Sequence, residues 1–567
     1  MVGTGLATET TGAPRILGAS IGNCVHVAGV IHFLALAEAE GYATKFMGPA
    51  TPVGALLSAV EAERPDIVAV SYRLTPEVGA QLLSELAAGR ERLPYEPRWV
   101  FGGTKPVADI ARSLGFFDFV SDGYDDIPDS VRFLRGVPVG DEPETWGSTL
   151  ADRVAASYPY PVLRHHYGRP TLEETVRGVR EIAESKALDV ISLGTDQNAQ
   201  QFFFRPEEMD PEFDGAGGVP VRSAGDFESL KAASRCGNYP LMRCYSGTED
   251  VGRYAEMLLG TIDNAWAAIP LCWYNELDGR GGRTLRTSLG QAQALMRWHA
   301  ERGVPVEVNE PHHWGLRDAH DVIPVAMAYI AAYNAKRAGV SRYIAQYMFN
   351  NPNGLSFSMD LAKVLAMIEL AEELKGPGFM MYRETRAGLA LFNADPDVAK
   401  GQLAASTRVQ RSDRPHLVHV VGYCEADHAA TAEEVIASCR IARGVIRHSV
   451  DDRIALERDE RVIARKEELL SEARYLLDFI RGEYSDRPDP LANPDVLTDC
   501  VERGYIDAVH IQKGGRYRGT LKTTISGGMC VAVDPESGRP LTEEERLSKL
   551  GARTGAPLPA ASAAVAS

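Results

Sequence analysis

GNCVHVAG (residues 22–29) joins an apolar run of strand length, RILGASI, to a helix-period run, VIHFLALAEAEGY. It puts an imidazole, His26, three residues ahead of Gly29 in a strand-to-helix turn. The same alternation continues downstream. ATKFMG, DIVAVSY, RWVFGG and DFVSDG read as strands, and VGALLSAVEAERP, EVGAQLLSELAAGRE and VADIARSLGF read as helices between them. Strands alternating with helices specify a parallel sheet covered on both faces. Residues 15–137 therefore read as a flavodoxin-like domain, whose ligands bind beyond the carboxyl ends of the strands. His26 follows the first strand, Ser71 ends the third and Gly102-Gly103 ends the fourth, so all four residues fall on one rim.

The rest of the chain sets the bounds. Its 567 residues suffice for several domains, with 45% hydrophobic and 24% charged residues. Lysine plus arginine number 60 against 77 acids, a formal charge of −17, which disfavours nucleic acid or an anionic membrane as the main partner. No apolar run is long enough to span a bilayer. Residues 1–14 lack the basic start and apolar core of a signal peptide and read as a flexible tail. The eight cysteines are scattered with no CxxC pair, as expected of reduced thiols in a cytoplasmic protein.

Residues 138–157 are polar and read as a linker with a short helix. A second alternating pattern occupies 158–485. Its strand-like pieces are YPYPVLRHHYGRP, LDVISLGTD, YPLMRCYSG, AAIPLCWYN, PVEVNEP, SRYIAQYMFN, GPGFMMYRE and HLVHVVGYC. Seven or eight βα units over this length fit a TIM-type (β/α)8 barrel, with chemistry at the carboxyl ends of the strands. Residues 486–550 read as a small α+β domain and 551–567 as a disordered tail. No HxH or HExxH spacing marks a metal site.

The first domain resembles the cobalamin-binding domain of methionine synthase and the base-off carbon-skeleton mutases. That family carries D-x-H-x-x-G after the first strand, S-x-L at the third and GG after the fourth. His26-Val27-Ala28-Gly29, Ser71 and Gly102-Gly103 match; Cys24 replaces the aspartate and Arg73 the leucine. The resemblance implies that His26 is the lower ligand of cobalt, with Gly29, Ser71, Gly102 and Gly103 around the nucleotide tail. A neutral imidazole nitrogen suits that metal, and glycine lacks the Cβ that would block close approach. The barrel resembles the large subunit of glutamate mutase (methylaspartate mutase), from about residue 160 to 546. The likeness is best at MRCYSGTED, at VEVNEP and at ERGYIDAVHIQKGG…SGGMCVAVDPESGRPLTEEE.

The family holds its dicarboxylate substrate with three arginines, a geometry suited to bidentate binding. One falls on Arg243, another on Arg164 or Arg169, and the third on Gln200, where the charge is lost. The glutamate that holds the substrate amine lands at Ala267, with Glu276 nine residues on as a substitute. A family tyrosine lands at Trp273 or Tyr274, and a glutamate near the cofactor ribose matches Glu425, although the neighbouring lysine is Val421. Asp196 lies past a strand end, suited either to substrate or to capping the next helix. His312-His313 after VEVNEP face the rim of a barrel, suited either to substrate contact or to a packed or solvent-exposed role.

The resemblance implies an adenosylcobalamin-dependent radical mutase, an isomerase. One arginine fewer points to a small carboxylate other than glutamate. A homodimer is expected, because the related enzyme pairs two large subunits. A corrinoid-dependent methyltransferase, built on the same two domains, and a non-catalytic cobalamin-binding protein are the alternatives.

Overall fold

The computed structural model describes residues 13–123, 127–137, 146–247, 249–449, 456–511, 517 and 519–551. Most of the N-terminal tail, the first part of the expected linker and nearly all of the C-terminal tail lie outside them. The chain forms two compact units, divided between Thr145 and Trp146.

The first unit contains β1 (Arg15–Ser20), β2 (Ala43–Phe46), β3 (Ile67–Tyr72), β4 (Arg98–Gly103) and β5 (Phe119–Ser121). All pair parallel in the order β2-β1-β3-β4-β5. Parallel strands buried on both faces read as continuous apolar runs; IVAVSY of β3 is such a run, and every residue in it is buried. Leu17, Val68, Val70 and Phe101 pack with Val53, Leu56, Leu83 and Val107 of the intervening helices. Proline in the first turn opens the helices Pro76–Arg90 and Lys105–Ser113, where its missing N–H costs nothing. The register aligns Ser20 with Ser71 and Ser71 with Gly102, so these strand ends lie side by side.

The second unit is built on eight parallel strands. They are β6 (Val162–Tyr167), β7 (Val190–Leu193), β8 (Leu241–Cys244), β9 (Ala267–Ile269), β10 (Val306–Val308), β11 (Arg342–Phe349), β12 (Met380–Ala387) and β13 (Leu417–His419). Their order is β8-β7-β6-β13-β12-β11-β10-β9, and a bridge between Tyr245 and Ala268 brings the two ends together, which nearly closes the barrel. The helix Leu150–Ser157, within the stretch read as linker, belongs to this unit. Its Leu150 and Val154 pack with Val162, Val190, Leu241, Trp266 and Leu417 near the strand starts, where an open barrel end would leave apolar side chains wet.

The segment after residue 485 joins the largest apolar core. Val496, Leu497, Tyr505 and Leu547 pack with the helices Val322–Arg337 and Glu460–Glu483. Its strands β14 (Thr523–Ser526) and β15 (Met529–Ala532) form an antiparallel hairpin. Among the described residues, no helix is long and apolar enough to cross a membrane.

Candidate functional site

On the rim of the first unit His26 is exposed. Its Nδ1 lies 4.0 Å from the buried Cys24 Sγ, and Nε2 has no partner among the described residues. Val25, 64% exposed, and the exposed Ile31 flank it, giving an apolar lip to a polar donor. A Cβ added at Gly29 or at Gly102 would meet nothing within 4 Å, whereas one at Gly103 would come within 2.7 Å of the Tyr72 carbonyl. The Ser71 hydroxyl is buried and has no partner among the described residues. An orphaned hydroxyl, two glycines beside open space and an outward imidazole nitrogen fit a large planar corrinoid with a tail laid along the strand ends.

The barrel interior departs from the packed branched side chains usual in such a fold. Period-two alternation sends residues two apart on a strand to the same side, and several of those inward positions are charged. Arg164 on β6 donates Nε to Glu384 Oε1 at 2.6 Å and lies 3.5 Å from Glu307 Oε1. Arg243 on β8 donates to Glu307 Oε2 at 3.2 Å, with Tyr245 and Trp266 over its guanidinium at 4.8 and 5.3 Å. Trp266 Nε1 donates to Glu307 Oε2 at 2.6 Å, and Gln346 Nε2 donates to both Glu307 (2.8 Å) and Glu384 (3.0 Å). Two arginines and two glutamates thus cancel in a fully buried layer. Burial pushes the Glu384 carboxyl up, against the pull of Arg164.

Two residues on along β6 and β12, toward the carboxyl ends, the side chains change character. His166 stacks on Tyr245 (5.3 Å) and accepts or donates a 3.0 Å hydrogen bond with its hydroxyl, and it meets His419 edge-on at 4.7 Å. Burial, reinforced by nearby arginines, holds His166, His312, His313 and His419 well below the ordinary imidazole range, so they are neutral. Arg386 lies among them. Burial is the largest influence on its guanidinium, which sits below its usual value. Its one hydrogen bond runs from Nε to the Ala387 carbonyl at 3.3 Å, and no acid pairs with it among the described residues. Buried Nε and Nη1 of Arg243 also lack partners. A cation without an anion, beside two unsatisfied donors and neutral imidazoles, is suited to one anionic group with hydrogen-bonding neighbours.

The other expected site residues are placed as follows. Arg169 donates to the Ala429 carbonyl at 2.6 Å, tying the loop after β6 to the loop after β13. Glu425 on that second loop accepts from Gly422 N at 2.7 Å and lies 3.2 Å from His165 Nε2. Asp196 caps the helix Gln197–Phe202 through Ala199 N, accepts from Gly215 N, and takes both Nη atoms of Arg222 at 3.0 and 2.6 Å. Gln200 donates to the Thr195 carbonyl at 2.7 Å. Trp273 is buried under Arg317 at 4.0 Å and packs on His313 and Trp314. Tyr274, at φ 63°, meets His313 edge-on, and burial pushes its hydroxyl up to about 12. Glu276 accepts from Leu285 N at 3.1 Å and from the Tyr517 hydroxyl at 2.9 Å, a helix cap and a tie to the C-terminal segment. Arg164, Arg243, Trp273 and Tyr274 therefore line or adjoin the barrel interior, whereas the carboxylates of Asp196 and Glu276 are engaged in local scaffolding.

Sequence reading missed Glu307, Gln346, Glu384, Arg386, His166 and His419. One signal was present: VEV and YRETR place charges at alternating positions inside otherwise apolar strands.

No protein-family model matches the chain, and no curated protein matches it. Among solved structures, a cobalamin-binding protein from Desulfitobacterium hafniense DCB-2 is 26% identical over 19% of this chain and 52% of its own, about half its length, at a TM-score of 0.17. The radical S-adenosylmethionine methyltransferase TsrM from Kitasatospora setae is 15% identical over 70% and 72% of the two chains, at 0.18. The cobalamin-dependent S-adenosylmethionine radical enzyme OxsB is 10% identical over 86% and 70%, also at 0.18. Likenesses this slight do not bear on the fold or the function.

Proposed function

We propose that the chain is an adenosylcobalamin-dependent carbon-skeleton mutase with a flavodoxin-like cofactor domain and a TIM-type substrate barrel, acting on a small substrate with one anionic group. The observation that carries this reading is the rim, where His26, Ser71 and Gly102-Gly103 fall at the ends of adjacent parallel strands in the order the resemblance requires. Bound there, the cofactor would supply homolytic carbon–cobalt chemistry. His26 would hold cobalt through Nε2, with the 4.0 Å Cys24 contact in place of a carboxylate, which weakens the orientation of the ring. Gly29 and Gly102 would leave room for the tail and Ser71 would hydrogen-bond it.

In the barrel, Arg386 would take the anionic group and Arg243 would add its free N–H donors, while the neutral histidines and Tyr245 position polar atoms without adding charge. The layer beneath, where Arg164 and Arg243 are balanced by Glu307 and Glu384, has no net charge to offer a second carboxylate. That supports a monoanion over glutamate, as does Gln200 in place of an arginine. Arg386→Gln is expected to raise KM roughly tenfold or more, from loss of a charge-assisted hydrogen bond, without displacing cobalamin. Unchanged KM would remove Arg386 from substrate binding.

The decisive experiment is electron paramagnetic resonance of the reduced cobalamin complex. Nitrogen hyperfine coupling should be present and should vanish in His26→Ala, whose exposed position leaves folding within about 0.5 kcal/mol of wild type. Coupling that survives unaltered overturns the assignment. Incubation with each cobalamin form, in dark and light, against a panel of small acids then tests the reaction. Isomerised product is expected from a monocarboxylate and none from glutamate or 3-methylaspartate; methylated product would establish the methyltransferase alternative instead.

A further inference from the structure

We propose that Cys424, His428 and Glu434 form a binding site for a zinc-class divalent ion on the loop that follows β13. Asp427 N and His428 N both donate to the Cys424 carbonyl at 2.9 Å, so the chain makes one tight turn. Residues four apart on such a turn face the same way, which brings the thiol and the imidazole together. Glu434 is fixed from the other side. Its Oε2 accepts from Thr431 N and Oγ1 at 2.9 Å each, at the start of the helix Ala432–Ser449, while its Oε1 lies 3.0 Å from His428 Nε2. One ligand atom from each of the three residues lies within 4.8 Å of the other two.

The surroundings fit a cation. His428 Nδ1 is 2.9 Å from Asp427 Oδ2, the carboxylate-to-imidazole hydrogen bond that orients a metal-binding histidine, and its Nε2 faces Glu434 Oε1, from which an ion would separate it. His428 is the only cation paired with Asp427 or Glu434 among the described residues. Two carboxylates around one imidazole leave negative charge that a divalent ion would balance, and the buried thiol would ligate as the thiolate on releasing its proton. The donor set of sulfur, nitrogen and one carboxylate oxygen favours zinc over magnesium or calcium, and three protein ligands leave the fourth position to water. A bound ion would pin the loop that carries Glu425 and its contact with His165.

The test uses the full-length chain, stripped with a chelator and titrated with zinc by calorimetry, then with cobalt(II) in the absence of cobalamin. About one equivalent of zinc should bind with submicromolar affinity. Cobalt(II) should give a near-ultraviolet thiolate charge-transfer band that disappears in Cys424→Ser. His428→Ala should abolish uptake, and Asp427→Asn should weaken it roughly 10- to 100-fold. Circular dichroism and the melting temperature of each metal-free variant control for folding. No saturable uptake at micromolar zinc overturns the site, as does uptake that Cys424→Ser and His428→Ala leave unchanged.

Discussion

Replacing Glu307 by alanine is expected to destabilise the barrel by about 3–5 kcal/mol, the loss typical when one member of a buried ion pair is removed and its partner stays charged. The carboxylate is fully buried and serves four groups, Arg164, Arg243, Trp266 and Gln346. Without it only Glu384 remains to balance two guanidiniums. Its desolvation cannot be relieved by deprotonating an arginine, because that group does not titrate in the accessible range. Glu307→Gln keeps the shape and one acceptor oxygen and should cost less. Adding Arg243→Met to Glu307→Gln should restore part of the loss, since the double variant removes the charge and its partner together. Urea unfolding followed by tryptophan fluorescence measures all three. A loss below about 1 kcal/mol for Glu307→Ala would mean that the arginines have another anion or reach water.

Acid is expected to destabilise the barrel unit steeply below pH 6.5. Burial keeps His166, His312, His313 and His419 neutral, and holds His299, His320 and His416 at about 4. The unfolded chain takes up a proton on each near pH 6.5 and the folded barrel does not, so stability present above that value is lost as the pH falls. Each group contributes roughly 1 kcal/mol per pH unit once the unfolded form is protonated. The buried carboxyls that burial raises, Glu310, Asp360, Glu384, Asp413, Glu472 and Asp507, act in the opposite sense. Asp413 and Glu472 are pushed up to about 7 by burial, so their contribution grows as the pH drops through 7. Seven imidazoles lose stability through this window and are set against these carboxyls, and the expected net is a loss of stability between pH 7 and 5.5. Urea midpoints at those two values should separate clearly, and His419→Gln should shrink the separation. Equal midpoints that His419→Gln leaves equal would show that the imidazoles are protonated in the folded state.

The βα rhythm of both units was legible because it depends on local patterning. DIVAVSY and RYIAQYMF are largely apolar runs of the length of a strand buried on both faces, and the helices between them carry their own start signals, such as Pro76 and Thr284. The rim residues were legible too, because His26, Ser71 and Gly102 stand at strand ends whose order follows from the alternation. Glu276 shows the limit of that reading. Proximity in sequence to a substrate-facing position suggested substrate contact, but its oxygen meets Leu285 N and a tyrosine 241 residues away.

The sequence by itself determined the strands, their parallel sense and the face to which each inward residue points, since these follow from chain-local periodicity and hydrophobic burial. Only the tertiary structure decided which inward charges meet. Arg164 and Glu384 lie 220 residues apart, and Arg243 and Glu307 lie 64 apart. Barrel closure sets strands β6, β8, β10, β11 and β12 around one axis and so pairs these groups, and leaves Arg386 with no acid paired to it among the described residues. Charge compensation is a property of distance in space. No periodicity along the chain encodes it.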